Sequence, residues 1–139
     1  MPKKRRIKDL LTNKEVSELL DIPKRRVLHW SEIGIVEAAI EPETPGGKRM
    51  YSYENLIEFK LATVLIYQCG LGRYKTKELL KQKRFINLAL KRDGYIWFHI
   101  IPSENIDVVF GIDIKTIEKE VERRITKYEK KRRSDSYSG

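Results

Sequence analysis

The sequence predicts a mainly α-helical fold with a small β component. Three observations carry this. Two short amphipathic runs lie within residues 12–34, separated by only a few residues. Two β-prone runs, "YIWFHII" and "IDVVFGIDI", flank the turn-forming "PSEN". The stretch "KTIEKEVERRITKYEKKRR" is charged apart from one narrow apolar stripe, as a surface helix requires.

The elements follow in order. Residues 1–9 form a basic arm, expected to be flexible. In "TNKEVSELLDI", Thr12 and Glu15 stand three apart, the spacing of a capping box, and Val16, Leu19 and Leu20 share one face. This first helix ends near Asp21. In "PKRRVLHWSEIG", Pro23 suits a helix start and Gly34 its end, with Val27, Trp30 and Ile33 on the core side. Lys24, Arg25 and Arg26 crowd the first turn, where cations oppose the helix dipole. Such a cost points to a partner outside the helix. Two helices this close make a helix-turn-helix, whose second helix offers its N-terminal residues to the DNA major groove.

"IVEAAIEPETPGGKRMYS" reads as a strand, a Pro/Gly turn and a return strand. Ser52 then caps a helix to about residue 68, with Leu56, Phe59, Ala62, Thr63 and Ile66 as its apolar stripe. "CGLG" breaks it, and a further helix is expected from Tyr74 to Lys91. In the later hairpin, Tyr95, Trp97, His99 and Ile101 share one face, and Ile96, Phe98 and Ile100 the other. Both faces are apolar, which predicts cover on both. Ile114, Ile117, Val121, Ile125 and Tyr128 form the stripe of the last helix. "SDSYSG", residues 134–139, reads as a disordered tail.

Composition narrows the function. The 139 residues suit one domain with an appendage, and 40% hydrophobic content supports a packed core. Lys and Arg total 29 against 20 Asp and Glu, a net charge of +9 that favours a polyanionic partner. The single cysteine, Cys69, excludes an internal disulfide and reads as a small buried thiol in a reducing cytoplasm. No apolar run approaches the ~20 residues that span a bilayer, so no membrane role is expected. "PKKRR" fits a DNA-touching arm as well as an import signal.

The order helix, turn, helix with "HWSEIGIV", hairpin with "GGKRMYS", then "LIEFKLATVLIYQCGLGRYKTKELL" resembles the DNA-binding domain of the MerR family of bacterial transcription regulators. The resemblance spans roughly residues 11–80. It implies a fold that is mainly α with small β: a winged helix-turn-helix followed by a β-hairpin and a C-terminal helix. It divides the chain into the arm 1–9, a DNA-binding domain with its following helices over 10–92, a dimerisation region over 93–133 and the tail 134–139. "GGKRMYS" becomes the tip and return strand of the wing. Arg49 would grip a phosphate beside Lys48, Tyr51 would pack the wing onto the next helix, and Arg25 and His29 would lie on the recognition helix. The DNA-binding set is Thr12, Lys24, Arg25, Arg26, His29, Lys48, Arg49 and Tyr51. Pro23, Leu28, Lys48 and Gly72 depart from the family's usual residues. So does the C-terminal third, since family members commonly end in one long helix that pairs across a dimer.

The expected function is therefore a sequence-specific, double-stranded DNA-binding transcription regulator, a cytoplasmic homodimer on its operator. RNA polymerase is a further partner implied by the resemblance, and a small-molecule effector is left unknown. The alternatives are an excisionase-like or segregation DNA-bending protein, or a winged-helix protein–protein adaptor. His29 and His99 are far apart and Cys69 has no partner motif, so no metal site is expected. No nucleophile elbow or phosphate-binding glycine loop occurs, so neither catalytic residues nor a cofactor are expected.

Overall fold

The computed structural model describes residues 10–81 and 94–138, a mainly helical chain with one two-stranded antiparallel sheet. The expected arm 1–9 and the expected helical run 82–91 lie outside the described residues.

Helix α1, Asn13–Leu20, begins at the capping box expected from the sequence. The Glu15 amide donates to the Thr12 hydroxyl at 3.2 Å, and the Thr12 amide donates to the Glu15 carboxylate at 2.9 Å. Asp21 ends it in the left-handed region, φ 58°. Helix α2, Lys24–Glu32, follows without a side-chain cap, because Pro23 has no side-chain acceptor. Gly34, φ 85°, turns the chain out of it. Val16, Leu19, Val27 and Trp30 are buried together, which fixes α1 against α2.

The return from α2 to the next helix is less regular than the expected hairpin. Only isolated bridges form, Ile40 with Met50 and Leu11 with Tyr51. Pro42 and Pro45 remove amide donors that a longer ladder would need. The tip is a tight turn: the Gly47 amide donates to the Thr44 carbonyl at 3.0 Å, with Pro45 and Gly46 at its centre. Gly46 has φ 85°, the pattern of a type II turn. Gly47 is needed for space, since a Cβ there would meet the Pro42 Cβ at 2.8 Å.

Helix α3, Tyr53–Thr63, is the centre of the molecule. Leu56, Ile57, Phe59, Leu61 and Ala62 are all buried, so it is covered nearly all round instead of along one stripe. It continues as a wider π turn over Val64–Gln68. There the Cys69 amide reaches back five residues to the Val64 carbonyl, at 2.9 Å. The extra residue shifts the angular phase, so Leu65 is buried and Cys69 is exposed. The buried thiol expected from the sequence is thus corrected. Helix α4, Arg73–Leu80, buries Thr76, Leu79 and Leu80.

Strands β1, Tyr95–Ser103, and β2, Ile106–Asp113, pair antiparallel, with an irregularity between Ile100 and Ser103. Ile96, Phe98 and Ile112 face the core. Tyr95 and Trp97 do not: they are 43% and 61% exposed, stacked on each other with centroids 6.0 Å apart. Trp97 lies over Gly111, where a Cβ would meet its ring at 2.8 Å. Among the described residues, the face of Tyr95 and Trp97 is the exposed one.

Helix α5, Ile114–Ser138, runs through the segment expected to be a disordered tail. Extending an established helix costs little per residue, even through Ser and Asp. Its stripe, Ile114, Ile117, Val121 and Ile125, is buried within the chain, against α1 and α3. The Tyr53 hydroxyl donates to Glu122 at 2.7 Å across the α3–α5 contact, and burial beside this carboxylate pushes the phenol's pKa up. The stripe of the last helix is therefore covered within one chain. No helix among the described residues is long and apolar enough to cross a membrane.

Candidate nucleic-acid interface

Cations collect where helix polarity disfavours them. The first turn of α2 holds no carboxylate, and Lys24 and Arg25 there are exposed. The first turn of α4 likewise holds no carboxylate and starts with Arg73. Arg73 faces α2 across a groove of about 860 Å³ whose walls also include Arg25, His29, Trp30, Glu32 and Tyr67. Arg73 Nη1 lies 3.2 Å from His29 Nε2. A guanidinium only donates, so this contact requires the imidazole to accept through Nε2, with its proton on Nδ1.

Arg26 behaves differently from its neighbours. Its guanidinium lies 4.8 Å from the Tyr67 ring centroid and 5.9 Å from that of Trp30, and these rings stack on each other at 6.3 Å. A cation over two rings is held by their quadrupoles. Arg26 therefore braces α2 against the π turn, a role the sequence reading did not assign.

On the Pro/Gly loop, Lys48 is exposed. Arg49 Nε donates to Glu41 at 3.0 Å, with the glutamate side chain half exposed. An exposed pair of this kind is worth about 0–1 kcal/mol, so a phosphate can displace the carboxylate. Tyr51 corrects the sequence reading. It has no exposed surface and packs edge-on against Phe59 at 5.5 Å, and its burial pushes the phenol's pKa up. It fixes the loop to α3, as expected, and cannot itself touch a ligand at the surface. Thr12 is engaged in its cap.

One buried residue that sequence reasoning missed holds the loop in place. The Asn55 carbonyl oxygen accepts from the Ala39 amide at 3.0 Å and the Ser52 amide at 2.9 Å. Its amide nitrogen donates to the Glu37 carbonyl and to Glu58, each at 2.9 Å. All hydrogen-bonding capacity of the side-chain amide is thereby engaged at least once per atom and hydrogen. Asn55 closes the capping box of α3 and clips the segment leaving α2 to that helix in one step.

Arg73 was also missed. The argument that singled out Lys24–Arg26, cations in a helix's first turn, would have found it. Among the described residues, no three His, Cys, Asp or Glu side chains group as a metal site. No family model and no curated protein matches the chain.

Proposed function

We propose that this chain is a cytoplasmic, sequence-specific transcription regulator of MerR-like type, binding double-stranded DNA as a homodimer through a winged helix-turn-helix. The observation that supports this reading is that its cations open helices or stand on an anchored loop. Lys24 and Arg25 open α2, Arg73 opens α4 beside His29, and Lys48 and Arg49 sit on a loop clipped to α3 by Asn55 and Tyr51. In this reading α2 enters the major groove and presents Arg25 and His29 to base edges. Lys48, Arg49 and Arg73 meet phosphates, where a guanidinium can bond through two donors.

The test compares two substitutions. Arg49→Ala will weaken binding to every duplex alike and make the salt dependence shallower by about one unit in log–log slope. Arg25→Ala will cost roughly 1–3 kcal/mol at one base position and relax preference there. Affinity measured against salt on selected and scrambled duplexes decides it. An Arg49→Ala protein with unchanged affinity and slope removes the wing from the reading.

The exposed thiol needs no role in this reading. Cys69→Ser protein, handled with chelator, will bind duplex within about twofold of wild type, about 0.4 kcal/mol. A tenfold loss in the same titration would reveal a ligand or redox function at the end of the π turn.

A further inference from the structure

The C-terminal half of α5 carries a charge density that its packing does not explain. Residues 127–133, "KYEKKRR", hold five cations and one carboxylate, a net four of the chain's nine positive charges. Lys127, Lys130, Lys131 and Arg133 are exposed, and no ion pair among the described residues engages them. The cations nearer the core are engaged: Arg123 and Arg124 bond Glu120 at 2.7 and 2.8 Å, and Arg132 lies over the Tyr128 ring.

One contact ties this run to α1. Arg132 approaches Glu15 of α1 at 3.9 Å, within the capping box at the start of that helix. Leu11, one residue before the cap, exchanges two 2.8 Å hydrogen bonds with Tyr51. Tyr51 directly follows the segment that carries Lys48 and Arg49. The basic end of α5 therefore lies beside the N-terminal end of α1, whose dipole is positive there. Between α1 and α5 lies a groove of about 520 Å³ walled by Lys127, Lys131 and Arg123, with Glu18 and Asp21 along its α1 edge.

We infer that the basic end of α5 is a second backbone-binding element, which contacts DNA phosphates beyond the footprint of the winged helix. The inference rests on the DNA-binding reading above. Because α5 is packed back on α1 and α3 by its buried stripe, its outer face is free to lie along the duplex and its length extends the contact. Such contacts carry no sequence information, so they will raise affinity for operator and random DNA alike.

The experiment pairs two double variants of the full chain. Lys127→Gln/Lys131→Gln removes two charges from the basic end. Lys115→Gln/Lys119→Gln removes two exposed charges from the other end of the same helix. Glutamine keeps helix propensity, so both will fold. The first pair is expected to make the salt slope shallower by about one to two units, at ~0.9 per phosphate contact, on any sequence. The second pair is expected to leave it nearly unchanged. Lys127→Arg/Lys131→Arg will restore the wild-type slope, and trimming the duplex to the winged-helix footprint will abolish the difference between wild type and the first pair. Equal slopes for the two glutamine pairs, with wild type still binding duplex, overturn this inference alone. Absence of duplex binding by wild type overturns the DNA-binding reading with it.

Discussion

Asn55→Ala is expected to lower the melting temperature by about 10 °C and to abolish tight duplex binding by a chain that remains folded at low temperature. The side chain is 3% exposed and holds four partners, two amides, one carbonyl and one carboxylate. Each buried polar group left without a partner costs about 1–3 kcal/mol. Several of these sites are only partly buried, and water will restore some bonds. A net loss of about 2–4 kcal/mol follows, near the upper range for single substitutions. At about 4 °C per kcal/mol for a chain of this size, the shift is near 10 °C. Ser52→Ala, which removes only the cap, will cost about 1 kcal/mol. Asn55→Asp will rescue poorly. It keeps both accepted bonds, loses both donated ones and sets a second carboxylate against buried Glu58. Thermal melts of the three variants rank these outcomes. An Asn55→Ala protein within 1 kcal/mol of wild type would mean that the clip does not hold the loop.

Asn55 also marks the limit of what the sequence displays. Thr12 and Glu15 were legible because both partners of a capping box lie within four residues. The bonds of Asn55 to residues 37 and 39 span 16 to 18 positions, and no local pattern encodes them. Apolar periodicity was legible wherever a helix has one wet side, as in Val16, Leu19 and Leu20. It misled at Cys69, because the π turn over Val64–Gln68 breaks the 3.6-residue phase that the reading assumed. The α5 stripe was legible as a stripe, but periodicity names a buried face without naming what buries it. Here the cover is α1 and α3 of the same chain. Tyr51 shows the same limit, since an aromatic between two cations and a cap fits both a surface contact and a core anchor. Its 66° edge contact with Phe59 decides for the core.

The burial of the α5 stripe leaves the outer face of the β-hairpin as the surface for the proposed homodimer, and Trp97→Lys is expected to separate it. Of the eight large apolar side chains exposed among the described residues, Tyr95, Trp97 and Val109 lie on this outer face, while the pairing of Val108 with Ile100 puts Val108 and Ile106 on the other. Residues 94–113 contain no Lys or Arg in a chain of net charge +9, so phosphate is a poor partner for this face. A second copy is a good one, because a two-fold axis brings apolar side chains onto apolar side chains with no cation trapped between. The size of the face sets the strength. Nine residues at ~3.3 Å each give a strand of about 30 Å, and two strands are about 10 Å wide. With its relief, such a face buries on the order of 800 Å² over both partners, below the ~1,200–2,000 Å² of stable interfaces. The free dimer will therefore be weak, with a micromolar dissociation constant, and an operator holding both copies will strengthen it by linkage. Sedimentation of wild type across 1–100 µM will show reversible, concentration-dependent dimer, with micromolar strength corresponding to about −8 kcal/mol. Trp97→Lys will stay monomeric throughout and lose about a hundredfold in affinity for a two-site operator, while binding a single half-site as wild type does. Its fold will hold, because Trp97 packs on Tyr95 and Gly111 outside the core. A wild type that is monomeric at 100 µM, with the Trp97 indole shielded from quenchers, would mean that another part of its own chain covers this face.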